Sequence, residues 1–380
     1  MKNSLLATLD YLPKHGGVER YYHNIVSRLP PQDIAVLTQP YSGGNDFDLK
    51  QDYKIIRKKL LTHWPIIWPK WANMIPYLKS YIDQNKVEVI QVGQVLPVGN
   101  AVYYLQKLKK IPYIVYTHGM DITIPQAQAS KKRIMQKVLQ QARYIVANSS
   151  FTKDELLTLG LPDDKIKIIT PGCDLIGDTP DTARVEKLRQ KYSLAEKKVL
   201  LTIGRLEKRK GHDMVISALN EIKDKHSNIV YLIVGQGQYE NELRSLVEKY
   251  QLTNQVIFTG SINDEDRSAY YQLCDIFIMP VRELSDRDVE GFGIVYIEAN
   301  AMGKPVIGGR SGGVRDAIID GETGLMVNPN DERDIAKAIE KLINNNELAQ
   351  RLGTKGRVRA ENDFKWLDRA KQVEQLIETI

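Results

Sequence analysis

Four short segments hold most of the residues in this chain that could do chemistry. The first is Gly204-Arg205-Leu206-Glu207-Lys208-Arg209-Lys210-Gly211. Arg205 offers a fork of donors and Lys210 a point charge, a pair that suits a diphosphate; the plain alternative is a solvated basic loop. The second is Glu290-Gly291-Phe292-Gly293-Ile294-Val295-Tyr296-Ile297-Glu298. If this segment were helical throughout, its two carboxylates would lie about two turns apart on one side. Gly291 and Gly293 instead make its first part a loop that presents N–H groups at a helix start, with simple capping as the competing role. The third, His15-Gly16-Gly17-Val18-Glu19, opens another helix. Paired glycines let backbone approach an anion there, or merely make a tight turn, and the spacing is not the dinucleotide fingerprint. The fourth is His118-Gly119-Met120-Asp121. His118 is placed to donate to a sugar hydroxyl or a phosphate oxygen, although a lone histidine is more often structural.

The elements that position these segments alternate regularly. Apolar runs at Leu5–Leu9, Ile34–Leu37, Val87–Val92, Tyr113–Thr117 and Tyr144–Asn148 alternate with helical patterns. A second series follows at Val199–Gly204, Ile229–Gly235, Val256–Gly260, Asp275–Met279, Pro305–Gly309 and Gly324–Val327. Continuous apolar strands interleaved with helices predict an α/β fold of two doubly wound parallel sheets. All four segments follow strands, and ligands of such sheets sit beyond the carboxyl ends of the strands. The two carboxyl edges are therefore expected to share a cleft that closes when a ligand binds. Thr152-Lys153-Asp154-Glu155 reads as a capping box, and Gly160 as the stop of the same helix. Pro171-Gly172 marks a linker. The expected domains are 1–172 and 173–360, with a terminal helix, 361–380, that crosses back to the first.

The 380 residues suit two such domains, with 42% apolar and 26% charged residues. The 53 basic and 47 acidic residues leave a net of +6. So mild an excess fits an anionic ligand or membrane surface and does not require nucleic acid. Cys173 and Cys274 are far apart, which argues against a zinc site or a disulfide framework and for a reducing compartment. The opening apolar run is short for a signal peptide, and no run reaches the length of a membrane span. A cytoplasmic location is expected.

Taken together and in order, these segments resemble the retaining glycosyltransferases of family 4, which have the two-domain GT-B architecture. The resemblance also rests on Asn148-Ser149-Ser150, Val234-Gly235-Gln236-Gly237, Phe258-Thr259-Gly260, Gly303-Lys304-Pro305, Gly312-Gly313 and Asp320-Gly321-Glu322-Thr323-Gly324. Within the family, the segment Val289–Ala299 is most like bacterial mannosyltransferases that use GDP-mannose to glycosylate phosphatidylinositol mannosides. The resemblance implies catalytic roles for Arg205, Lys210, Glu290 and His118. Arg205 and Lys210 would take the donor diphosphate, with Gly16 and Gly17 approaching it from the other domain. Glu290 and His118 would lie at the transferred sugar, and Glu298 would hold the ribose. Gly293, Ile294 and Val295 would offer N–H groups, Gly204 and Gly235 would line the donor site, and Ile257 and Phe258 would meet the base. No cofactor and no metal is implied. Asp286-Arg287-Asp288 is expected to be a solvated loop.

Trp64, Trp68 and Trp71, beside Lys58, Lys59 and Lys70, have the composition of a membrane-interface element. The expected partners are thus a nucleotide sugar, a glycan or lipid-linked acceptor, and the inner face of the cell membrane. The rival readings are a UDP-sugar donor, a sugar phosphorylase or nucleotide-sugar epimerase on the same fold, and a non-catalytic nucleotide-sugar binder.

Overall fold

The computed structural model describes residues 1–62, 69–175, 181–285 and 287–380. The chain divides into two compact units. The first comprises Met1–Gly172 with Trp366–Ile380, and the second Cys173–Lys365.

The first unit holds a sheet of seven strands: β1 (Ser4–Ala7), β2 (Ile34–Thr38), β3 (Lys54–Arg57), β4 (Val89–Val92), β5 (Tyr113–Thr117), β6 (Tyr144–Ala147) and β7 (Ile166–Ile168). Their order is β3-β2-β1-β4-β5-β6-β7, and all pairs are parallel. The second unit holds six: β8 (Lys198–Ile203), β9 (Ile229–Val234), β10 (Val256–Gly260), β11 (Ile276–Met279), β12 (Val306–Gly309) and β13 (Gly324–Val327). Their order is β10-β9-β8-β11-β12-β13, again all parallel. The α/β class of two doubly wound sheets is therefore as expected from the sequence. Helices cover both faces, so the inner strands are buried along their whole length.

Two local readings are corrected. β3 was not expected, because this edge strand is only half-buried and its residues make no continuous apolar run. The helix Ser150–Thr158 is capped by Ser149, whose Oγ accepts from the Thr152 backbone N–H at 3.1 Å, so Thr152 lies inside the helix. The stop does fall at Gly160, with φ +79°.

The final helix, Trp366–Glu378, belongs to the first unit. It buries Trp366, Ala370, Val373 and Ile377 against Tyr21, Tyr22, Ile25 and Val26. Arg369 ties it down, donating from Nε to the Thr170 carbonyl at 3.1 Å and from Nη2 to Thr170 Oγ1 at 2.9 Å.

Candidate active site

In the second unit, the loop after β8 brings four cations, Arg205, Lys208, Arg209 and Lys210, to the carboxyl edge of the sheet. Gly204 starts it, its N–H donating to the Val234 carbonyl at 2.9 Å. The loop then makes a tight 3-10 turn at Lys208–Lys210 and enters the helix His212–Ile222 through Gly211 at φ +78°. A side chain at Gly211 would collide with the Pro280 carbonyl, so only glycine gives this turn its close approach to the end of β11.

The cations have different surroundings. Arg205 is 69% exposed and, among the described residues, pairs only with its neighbour Glu207, at 2.6 Å. Arg209 is 5% exposed and lies 3.3 Å from Glu207, 3.0 Å from Asp288 and 2.5 Å from Glu290. Lys210 also pairs with Glu290 and is nearly buried. Burial by itself would raise the Glu290 pKa. Lys210 and Arg209 outweigh it and hold the carboxyl at about 2, so it is fully ionised at neutral pH. The Lys210 ammonium shifts the other way: burial lowers its pKa, and the Arg209 charge adds to that while Glu290 opposes it.

The backbone at Glu290 is held as firmly as its side chain. Its carbonyl accepts from the Gly313 N–H at 2.9 Å, and Gly312, at φ +53°, lies so close that a Cβ there would strike the same carbonyl. The chain then turns at Gly293 (φ +90°) into the helix Ile294–Ala301. Ile294 and Val295 therefore lie in its first turn, where N–H groups precede any helical acceptor. Tyr296 anchors this start by donating to the Met279 carbonyl at the end of β11, at 2.5 Å. Glu298, on the same helix, is buried. Its Oε1 is 3.1 Å from Arg267, and its Oε2 accepts from the Tyr271 hydroxyl at 2.7 Å. The two glutamates thus serve separate clusters.

Gly235 follows β9 at φ +137°, and a Cβ there would strike the Gly204 carbonyl. This glycine lets two strand-end loops pack together. Ile257 and Phe258 lie on the edge strand β10, where the Arg244 guanidinium covers the Phe258 ring at 4.3 Å. A cavity of about 360 Å³ just beyond this strand is lined by Thr259, Ser261, Ile262 and Tyr270.

In the first unit, Gly16 caps the helix Gly17–Val26, and the Glu19 carboxylate folds back against it. The same helix carries Tyr22. The Tyr22 hydroxyl donates to the Gly93 carbonyl and lies 2.7 Å from His118 Nε2, at the end of β5. With its own proton given to the carbonyl, that hydroxyl accepts from His118, so Nε2 carries the imidazole hydrogen. Burial lowers the His118 pKa to about 3 and keeps the ring neutral. The His118 backbone N–H donates to Asp121 Oδ1 at 2.8 Å, and burial raises the Asp121 pKa to about 7.

Five residues of these clusters were not picked out from the sequence: Arg209, Tyr22, Asp288, Arg267 and Tyr271. Arg209 was lost in a charge run, and Tyr22 was read only as part of a buried helix face. Asp288 is no solvated loop residue, because it is paired with Arg209; Asp286 lies outside the described residues. Trp64 and Trp68 also lie outside them, and Trp71 packs half-buried on the core of the first unit. Both cysteines are free thiols and buried. Among the described residues no helix is long and apolar enough to cross a membrane.

Residues 15–176 match Glycosyltransferase Family 4, and residues 184–359 match Glycosyl transferases group 1. A GDP-mannose-dependent alpha-(1-6)-phosphatidylinositol monomannoside mannosyltransferase of Mycolicibacterium smegmatis is 28% identical, over 98% of this chain and 97% of its own. Anabaena HepE, solved in complex with UDP, superposes with a TM-score of 0.84 at 18% identity, covering all of both chains. Sucrose-phosphate synthase of Thermosynechococcus elongatus gives 0.82 at 23%, over 100% of this chain and 99% of its own.

Proposed function

We propose that this chain, which belongs to the family 4 and group 1 glycosyltransferases, moves mannose from GDP-mannose to a glycan or lipid-linked acceptor, retaining the anomeric configuration and using no metal. The observation that carries the reading is the loop after β8, with Lys210 and Arg209 already fixed on Glu290 and Arg205 exposed beside them. In sugar transfer the bond from the anomeric carbon to the diphosphate breaks, and a bond to the acceptor oxygen forms. Positive charge grows on the sugar and negative charge on the departing diphosphate. Arg205 and Lys210 would meet the negative charge, which is the work of preorganised electrostatics. When Lys210 turns from Glu290 to a phosphate, Arg209 still keeps Glu290 ionised at the sugar. The N–H groups of Gly293, Ile294 and Val295, and the turn at Gly16-Gly17, would add donors to the phosphates and sugar. Neutral His118, its Nε2–H held by Tyr22, would accept from a sugar hydroxyl at Nδ1. Glu298 would contact the ribose by exchanging one of its present partners for it. In a same-face attack, the departing phosphate oxygen takes the acceptor proton.

Mannose and GDP are supported by the activity of the Mycolicibacterium relative. A UDP-sugar is the second reading, supported by the UDP complex of HepE. A lipid-linked acceptor suits peripheral contact at the inner face of the membrane, with the segment around Trp64 and Trp68 as one contact. The test is a thermal-shift and hydrolysis screen of GDP-mannose, UDP-glucose, UDP-galactose and UDP-N-acetylglucosamine, with and without EDTA. Stabilisation by GDP-mannose alone, unchanged by EDTA, is expected. Stabilisation by a UDP-sugar alone would overturn the donor assignment, and loss of the effect in EDTA would overturn the metal-free mechanism.

A further inference from the structure

Glu298 stands within the helix Ile294–Ala301 and is 2% exposed. A carboxylate so far from water is costly unless it is paired and hydrogen-bonded. Two side chains of one neighbouring helix, Arg267–Leu273, meet it. They are four residues apart and so lie on one face of that helix. Arg267 faces Oε1, and the Tyr271 hydroxyl faces Oε2. Each oxygen thus has its own partner, and the two partners are held differently.

Tyr271 is the fixed partner. It is fully buried, and its ring packs on Phe277 of β11 with centroids 5.6 Å apart. Burial, and after it the charge of Glu298, push its pKa well above the ordinary tyrosine value, so the hydroxyl stays a donor. Its bond to Oε2, at 2.7 Å, is a charge-assisted one. Arg267 is held less closely. It opens its helix straight after the 3-10 turn Asp264–Asp266, which follows the carboxyl end of β10, and its side chain is 13% exposed. It reaches Oε1 through Nη1 at 3.1 Å, while its buried Nε has no hydrogen-bond partner among the described residues. A guanidinium meeting the carboxylate as a two-pronged fork would be harder to displace. Ligands of an open parallel sheet arrive at the carboxyl ends of its strands, which is where Arg267 lies.

We infer that Tyr271 is the positioning residue of the ribose contact and that Arg267 is the partner that gives way to it. The ribose hydroxyls take Oε1 in place of the Arg267 guanidinium. Tyr271 keeps Oε2, so the carboxylate holds its direction while it changes partner. The exchange is not steeply uphill, because desolvation offsets much of the Coulomb gain of a buried ion pair. Its consequence is selectivity for the sugar of the nucleoside. A nucleotide without ribose hydroxyls offers Glu298 nothing in return for displacing Arg267, and a site built to bind a hydroxyl discriminates strongly against an analogue that lacks it. The inference rests on the contact of Glu298 with ribose proposed above, and it does not depend on the base or on the transferred sugar.

The test is calorimetric titration of the full chain with GDP and 2′,3′-dideoxy-GDP, and with UDP and 2′,3′-dideoxy-UDP. Wild type is compared with Glu298→Ala, Tyr271→Phe and Arg267→Met. The readout is the dissociation constant of the dideoxy form divided by that of the ribo form, for whichever base binds. Wild type is expected to favour the ribo form by about tenfold or more. Tyr271→Phe should cut that preference to about threefold or less. It should leave the dideoxy affinity as in wild type, which reports that the site is still folded. Arg267→Met should keep the wild-type preference or exceed it, since it removes only the partner that leaves. That variant decides the matter even if Tyr271→Phe fails to fold. The inference alone falls if Glu298→Ala loses the preference and Tyr271→Phe keeps it, or if Arg267→Met loses it. If Glu298→Ala keeps the preference, or wild type shows none or binds neither diphosphate, the ribose contact itself falls and this inference with it.

Discussion

Replacing Glu290 by glutamine removes one negative charge from a cluster in which two buried cations depend on it. The folded carboxyl has a pKa of about 2 against an ordinary 4.5. The side chain is only 15% exposed, so solvent screens the interaction little. A difference of this size corresponds to roughly 3 kcal/mol of stability at neutral pH. Because the folded value is depressed, that contribution is present above pH 4.5 and is lost as the pH falls toward 2. Glu290→Gln is therefore expected to destabilise the second unit by about 3 kcal/mol at pH 7, in the range for breaking one partner of a buried pair. It should also flatten the dependence of that unit's stability on pH between 4.5 and 2. The positions of the tryptophans help the assay. All four, Trp64, Trp68, Trp71 and Trp366, belong to the stretches that make up the first unit, so tryptophan fluorescence follows that unit alone. Urea unfolding followed by far-UV circular dichroism sees both units. The variant should shift the transition seen only by dichroism and leave the fluorescence transition in place. Equal stability of variant and wild type at pH 7, with the same acid slope, would refute the argument that Lys210 and Arg209 hold this carboxylate.

Arg205→Ala should separate stability from turnover. Its side chain is exposed and, among the described residues, pairs only with Glu207, so unfolding should move by less than about 0.5 kcal/mol, while donor turnover falls on the order of a hundredfold or more. Tyr22→Phe leaves the Gly93 carbonyl and His118 Nε2–H without their shared hydroxyl, at a cost of about 1–3 kcal/mol by urea unfolding. In labelled wild-type protein, the ¹⁵N shifts of His118 should report hydrogen on Nε2 and a bare Nδ1 at pH 7. A protonated Nδ1 would contradict the assigned tautomer. Gly235→Ala and Gly160→Ala make a matched pair, both at positive φ. Only Gly235 faces a carbonyl, whereas Gly160 faces open space, so thermal unfolding should fall clearly further for Gly235→Ala.

The sheets were legible because a strand buried on both faces must be apolar along its length, as β9 and β11 are. β3 escaped because an edge strand needs no such run. The cap at Ser149 was misplaced because Asn148-Ser149-Ser150-Phe151-Thr152 holds several residues able to cap, and which one does so depends on where β6 ends. The cation site was half legible for a similar reason. A glycine-bounded loop after a strand drew attention to Arg205 and Lys210, but sequence spacing says nothing of which cation will be buried. Arg209 is the buried one because Asp288 and Glu290, some eighty residues away in sequence, come to it from the segment after β11. That pairing changes the roles within the loop. Arg205, the cation nearest the start of the loop, is exposed and can meet a ligand by leaving its neighbour Glu207, and Lys210 reaches one only by leaving Glu290. Arg209 keeps the carboxylate in place when that exchange occurs. Substituting Arg209 by methionine should therefore impair Glu290 more than it impairs diphosphate binding, seen as a loss in kcat larger than the rise in donor KM. The reverse pattern would make Arg209 a direct phosphate ligand.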